Sequence, residues 1–221
     1  MSEFKIRRKL FRMVGLLFPA LYALGDALGS GIGWLAATSI LVLFLFIMTS
    51  LEYVRFRRPG VNRWLFDHFR AFTKEKERQR TSSTTLFLLA CLIVVLLFGR
   101  SVAIAAIVML VFGDPAAEWI GTRYGRTRLL GKTLEGSLGG FAACLVMAAP
   151  LALLPDLSIG ILAAGAAAAA LFELLPLGVD DNFTIPLGAG TAMAAAQWLI
   201  LGPHAVSWSP LVEGLLPALT R

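Results

Sequence analysis

Charge is scarce in this chain. Only 15% of its 221 residues are Asp, Glu, Lys or Arg, 57% are hydrophobic, and mean hydropathy is +0.76. An ordinary soluble domain is about a quarter charged, so the deficit excludes that class and points to an integral membrane protein. Cysteine is nearly absent too. Cys91 and Cys144 both fall inside apolar runs, with no Cys-x-x-Cys spacing, which argues against a disulfide framework or zinc site and for core packing. His68 and His204 have no carboxylate or second histidine at ligand spacing. Alternating apolar and polar residues are also missing, so helical spans are the economical way to satisfy the backbone in lipid.

Apolar runs are what the chain has in quantity. Spans of roughly 17–25 residues fit at 10–25, 31–51, 83–99, 101–121, 136–154, 158–176 and 186–202. The expected architecture is an all-α, polytopic membrane bundle of about seven transmembrane helices, forming a single domain over 1–221. The first run contains Pro19 and follows Lys5, Arg7, Arg8 and Lys9, as the core of a signal peptide would. Arg12 interrupts its start, and a retained first helix is the expectation. Beyond Gly202, three prolines (Pro203, Pro210 and Pro217) break the chain too often for a span, and an interfacial tail is expected.

The basic residues give an orientation. They concentrate in the N-terminal segment, in 52–82 and in 122–135. Of the 20 Lys and Arg, only Arg100 and Arg221 fall on the opposite side of a seven-span arrangement. The positive-inside rule makes the crowded side cytoplasmic, together with the N-terminus and residues 177–185. Within 52–82, Trp64, Leu65, Phe69 and Phe72 recur at helical spacing among arginines. That is the pattern of a helix lying in the headgroup plane; a solvated loop that only sets topology is the plainer alternative. No nucleic-acid partner is expected, and the oligomeric state is not legible.

Two polar islands, 111–140 and 173–186, interrupt the apolar runs on the cytoplasmic side. Ionisable groups are costly in hydrocarbon and mark a site. Asp114-Pro115 reads as a helix break and restart, with Asp114 as cap and Pro115 in the first helical position. The freed N–H groups of the restarted helix would then face a cavity suited to an anion. Asp114 and Glu118 stand four apart and share a helix face. Gly131-Lys132-Thr133 invites a P-loop reading, but Gly125 to Gly131 encloses five residues rather than four, with no strand expected ahead of it. What survives is that glycine permits close backbone approach and Lys132 is a point charge for phosphate. Arg123, Arg126 and Arg128 add positive potential. Glu135 and Ser137 suit the first turn of the next helix. Asp180, Asp181 and Asn182 form a hard-oxygen cluster suited to magnesium sharing a substrate's phosphates, with Glu173 able to join; an Asx turn before Pro186 is the alternative. Gly136 and Gly140 form a GxxxG, and alanines fill 163–170 except for Gly165; both patterns favour close helix packing.

At these residues the chain resembles the polyprenol kinase family: dolichol kinase, phytol and farnesol kinases, and the yeast-type CTP-dependent diacylglycerol kinase. The resemblance is carried by Gly113-Asp114-Pro115-Ala116-Ala117 with Gly121 and Gly125, by Gly131-Lys132-Thr133-Leu134-Glu135-Gly136-Ser137, and by Asp180-Asp181-Asn182 with Thr184-Ile185-Pro186-Leu187. Weaker similarity runs through Arg8-Lys9, Glu52 with Arg55, and Glu77. The family carries a histidine soon after the first basic pair, where Arg12 stands here. The resemblance implies transfer of a γ-phosphate, often from CTP, to the hydroxyl of a membrane lipid alcohol, which would be a polyprenol, a phytol- or farnesol-type isoprenoid, or diacylglycerol. It also implies Mg2+ or another divalent cation. On that basis Asp114, Asp181, Asn182 and Glu173 are assigned to the metal. Gly121, Arg123, Gly125, Gly131, Lys132, Thr133, Gly136 and Ser137 are assigned to the nucleotide. Asp114 and Lys132 are assigned to catalysis, with Glu135 or Asp180 accepting the substrate proton. Such chemistry rests on positioning and charge neutralisation. A cytidylyltransferase forming a CDP-lipid would want the same nucleotide, metal and bilayer geometry. A transporter built on broken helices is a further alternative, but no inverted repeat relates the two halves.

Overall fold

The computed structural model describes residues 13–28, 31–69 and 75–219. The expectations placed on Lys5, Arg7, Arg8, Lys9, Arg12, Phe72 and Arg221 lie outside them. Every apolar run that falls within them is helical. A 3-10 turn, Met13–Leu16, leads into α1 (Leu17–Leu28), followed by α2 (Ile32–Arg57) and α3 (Pro59–His68). A second 3-10 turn, Glu75–Gln79, precedes α4 (Ser83–Leu97), and α5 covers Arg100–Tyr124. A minimal hairpin, β1 (Arg128–Leu129) and β2 (Lys132–Thr133), leads into α6 (Leu134–Ala148), which tightens into a 3-10 turn, Ala149–Leu153. Then come α7 (Ile159–Leu174), α8 (Asp181–Leu201), the 3-10 turn Pro203–Ala205 and α9 (Pro210–Leu219).

Among the described residues, four helices are long and apolar enough to cross a membrane: Ile32–Arg57, Arg100–Tyr124, Leu134–Leu153 and Asp181–Leu201. The protein is an all-α membrane bundle. The seven runs read from the sequence do not all reach spanning length, because α4 and α7 have 15 and 16 residues. At 1.5 Å per residue these rise only about 23 Å, against about 30 Å of hydrocarbon.

Local chemistry sets the element ends. Arg58 is extended because it precedes Pro59, which stops α2 and starts α3. Ser82, Thr133, Ser158 and Asp180 cap α4, α6, α7 and α8, each side chain accepting a backbone N–H of the first turn. At the centre is α5, which packs against α1, α4, α6, α7 and α8. Its residues Ser101–Ile107 are all buried, as expected of a helix apolar on every side. The α2 helix is peripheral, and Leu35, Val42, Phe46 and Ile47 are exposed on it. The GxxxG glycines let α6 approach α5 closely. A Cβ on Gly136 would stand 2.8 Å from the Ala117 carbonyl oxygen, and one on Gly140 2.9 Å from the Ala117 Cβ.

Two expectations change here. The helix does not break at Asp114-Pro115: α5 runs continuously through Pro115. An interior proline costs about 3 kcal/mol in an exposed helix, but α5 is packed against five neighbouring helices, and that packing holds the helix through Pro115. Asp114 is therefore not a cap, and no restarted helix offers its N–H groups to an anion. Pro186 likewise lies inside α8. The second change is the strand ahead of Gly131. Leu130 and Gly131 both have positive φ, 52° and 86°, which makes a two-residue turn of the I′ kind that suits the twist of a hairpin. Two-residue strands are too short to show alternation in a sequence.

Candidate functional site

A cavity of about 650 Å³ opens where the C-terminal parts of α5 and α7 meet the hairpin and the starts of α6 and α8. Its volume lies within the range of small-molecule sites. Along α5 the lining residues are Asp114, Ala117, Glu118, Gly121 and Thr122, then Gly125 just beyond. That spacing is one face of a helix. The hairpin supplies Arg128, Gly131, Lys132 and Thr133, α6 supplies Gly136, and α7 supplies Glu173. The approach to α8 supplies Val179, Asp180, Asp181 and Asn182.

Lys132 is the hub. Its ammonium lies 2.9 Å from Asp181 Oδ2 and 3.1 Å from Glu173 Oε1, and also donates to the Glu173 backbone carbonyl. Three acceptors match the three protons of the ammonium. Burial opposes the charged form, but the hydrogen bonds and negative charge of Asp181 and Glu173 outweigh it and raise the Lys132 pKa. The lysine thus stays protonated at any neutral pH. Asp114 stands close enough to Asp181 for the two like charges to interact. Ser137 supports Glu173 from behind, its Oγ 3.1 Å from Glu173 Oε2 and 3.3 Å from the Thr133 carbonyl. Asp180 Oδ1 accepts from Asn182 N–H at 3.1 Å and Asn182 Nδ2 at 2.6 Å. The Asx turn and the acidic cluster are therefore the same structure.

Of the residues singled out in the sequence, the cavity brings together Asp114, Gly121, Gly125, Gly131, Lys132, Thr133, Gly136, Glu173, Asp180, Asp181 and Asn182. Three do not line it. Arg123 is exposed and lies over the Tyr124 ring, 5.7 Å from its centroid. Glu135 accepts from the backbone N–H groups of Arg126 and Thr127 at 3.1 Å, tying down the entry to the hairpin. Ser137 is buried behind Glu173. Glu118 and Thr122 line the cavity without having been assigned a role, and so does Arg128, which was expected only to add positive potential with Arg123 and Arg126. The i+4 spacing of Glu118 from Asp114 was the signal for the first. Arg128 is distinguished from Arg123 and Arg126 only by the hairpin, where it pairs with Thr133.

The donor chemistry fits a hard divalent cation, since Asp114, Glu173, Asp181 and Asn182 all offer oxygen. Among the described residues, no three His, Cys, Asp or Glu side chains form a ready metal-ligand group. Magnesium does not require one, because it is held by one or two carboxylates together with substrate phosphates and water.

No family model matches the chain, and no solved structure matches it. It is 24% identical over 196 residues to an uncharacterized protein of Rickettsia prowazekii (strain Madrid E), a similarity covering 84% of this chain and 91% of that protein. The likeness therefore extends along nearly the whole of both chains and is not confined to the residues of the cavity.

Proposed function

We propose that the protein is a lipid-alcohol kinase of the polyprenol kinase type, transferring the terminal phosphate of a nucleoside triphosphate to the hydroxyl of a membrane lipid alcohol. The observation that carries this reading is the charge of the cavity. Five carboxylates and two cations line one opening at the end of an apolar bundle. A triphosphate alone would be repelled by that surplus, whereas one arriving with divalent cations is matched by it. Asp114 and Asp181, with Asn182 and Glu173, would hold the metal, which when bound neutralises phosphate oxygens. CTP as the donor rests on the family resemblance.

The residues divide the remaining work. Lys132 and Arg128 supply positive charge to the phosphates. Gly131 stands in open space and lets the nucleotide approach the backbone, whereas a Cβ on Gly121, Gly125 or Gly136 would strike Thr133, so those three glycines hold the hairpin close against α5 and α6. Asp180 lines the cavity whereas Glu135 is engaged with the hairpin entry, so Asp180 is the proton acceptor. The alcohol oxygen forms a bond to the γ-phosphorus as the bridging P–O bond to the β-phosphate breaks. The alcohol proton passes to Asp180, and the nucleoside diphosphate leaves. The alcohol enters sideways from the bilayer.

In this reading α1, α4 and α7 join the four long helices to make seven spans, the bilayer thinning around the shorter ones. The cavity end is cytoplasmic, because Arg55, Arg57, Arg58, Arg63, Arg78 and Arg80 gather there with Arg123, Arg126, Arg128 and Lys132. A transporter would carry its site near the midplane on discontinuous helices; here α5 and α8 are continuous and the cavity opens at one end.

The test uses purified protein in detergent with magnesium, CTP or ATP, and a panel of polyprenols, phytol, farnesol and diacylglycerol, with products identified by mass spectrometry. A lipid monophosphate and a nucleoside diphosphate are expected. A CDP-lipid with pyrophosphate would replace the kinase with a cytidylyltransferase, and no product from any alcohol would overturn the reading.

A further inference from the structure

Residues 75–82, ahead of α4, belong to the basic stretch read in the sequence as a headgroup-plane helix or a loop that only sets topology, yet they are held by buried and part-buried polar groups. Arg55 on α2 is only 3% exposed. Its guanidinium donates to the Glu77 backbone carbonyl at 2.9 Å and to the Arg80 carbonyl at 2.6 Å. Glu52, one turn earlier, accepts from Ser82 N–H at 2.7 Å and from Thr85 Oγ1 at 2.8 Å. Asn62 on α3 donates to the Arg78 carbonyl at 3.0 Å. Burying charge beside lipid costs stability unless each group is paired, and topology alone needs no such frame: exposed arginines satisfy the positive-inside rule as well.

The frame ends at the cavity. Ser83, the first residue of α4, has its Oγ 2.7 Å from Glu77 Oε1 and 2.7 Å from Asp180 Oδ2. Glu77 is itself buried. The single Ser83 proton serves one of these carboxylates at a time; turned to Asp180 it holds Oδ2 while Asn182 holds Oδ1. We propose that Ser83 is a positioning residue for Asp180, and that Glu77 and Arg55 form the frame that keeps Ser83 in place. The inference rests on the reading of Asp180 as the proton acceptor and extends it, making the 75–85 segment part of the reaction's geometry. A misplaced acceptor loses rate while leaving the nucleotide's contacts with Lys132 and the glycines intact.

The experiment compares full-length wild type, Ser83→Ala, Ser83→Thr and Glu77→Gln in detergent with magnesium, nucleotide and the best alcohol. Ser83→Ala should lower kcat roughly 10–100-fold, the scale of a small misplacement of a reacting group, with the nucleotide KM unchanged. Ser83→Thr keeps the hydroxyl and should recover most of the loss, and Glu77→Gln should fall between. Wild-type kcat in Ser83→Ala, or a Thr variant as slow as the Ala variant, would overturn the proposal. A thermal-unfolding double-mutant cycle on Ser83→Ala and Asp180→Ala tests the contact without turnover. Non-additive shifts are expected, and strictly additive ones would overturn the link. If wild type makes no phosphorylated lipid, the kinase reading falls alone and the cycle still decides the contact.

Discussion

At the end of the bundle away from the cavity, Gln197 is fully buried and both halves of its amide are used. Its Nε2 donates to the Asp156 carbonyl at 2.8 Å, and its Oε1 accepts from Ser207 N–H at 3.0 Å. Ser209, equally buried, donates to the Leu96 carbonyl and accepts from Val212 N–H, and Phe98 stacks on Trp208 beside it. These side chains are neutral, and they join the α4–α5 corner to the C-terminal segment. At the other end, five carboxylates, a lysine and an arginine face one open volume. A polar group needed only for structure is cheapest when uncharged and paired to backbone. Charges that share a lumen are there for something that enters it.

This contrast is sharpest for the charged hub. On the kinase reading proposed above, Asp114→Asn, Asp181→Asn and Lys132→Ala should each lower turnover by at least about 100-fold, the scale of removing one fixed charge from a phosphoryl-transfer site, while the protein remains extractable and folded by circular dichroism. Lys132 is about one-third exposed, so its loss should cost only about 1 kcal/mol of stability. Full activity in Asp114→Asn would remove the metal assignment. At the opposite end, Gln197→Ala should cost about 1–3 kcal/mol, because it leaves the part-buried Ser207 N–H and Asp156 carbonyl without their side-chain partner. Turnover per folded molecule should not change, and the pair of results can be read from a thermal melt and a rate on the same preparation. Gly140→Val lies between the two regions. Its side chain would push on Ala117, one turn from Asp114, and cost about 1–3 kcal/mol through overpacking with a partial loss of rate. The smallest effect should come from Arg100→Ala at the far end, with turnover nearly that of wild type. A large rate loss there with folding intact would count against placing all the chemistry at one end.

Much of this was legible residue by residue. The apolar runs became helices because nothing in their composition permits another way to pair the backbone in lipid. The GxxxG of α6 reads directly as close packing, and Gly136 and Gly140 do meet Ala117. Asp114 and Glu118 share a face by spacing alone. Three things were not legible. Pro115 looks like a break in one dimension, and only the neighbours around α5 decide that the helix continues. Two-residue strands are too short for a pattern, so the hairpin that separates Arg128 from Arg123 and Arg126 was hidden. Ser83 and Asp180 are nearly a hundred residues apart, and no local signal joins a helix-start serine to a distant aspartate.

By itself, the sequence determined the class of protein, the helices, the crowded basic side and the identity of most groups that line the cavity. These follow from composition, period and the cost of charge in hydrocarbon, all of which act locally along the chain. Tertiary structure alone decided that Lys132 bridges Glu173 and Asp181, that Glu135 serves the hairpin and not the cavity, and that the 75–85 segment reaches Asp180. Those outcomes depend on distances between helices, which are set by how closely glycine and alanine let the helices pack.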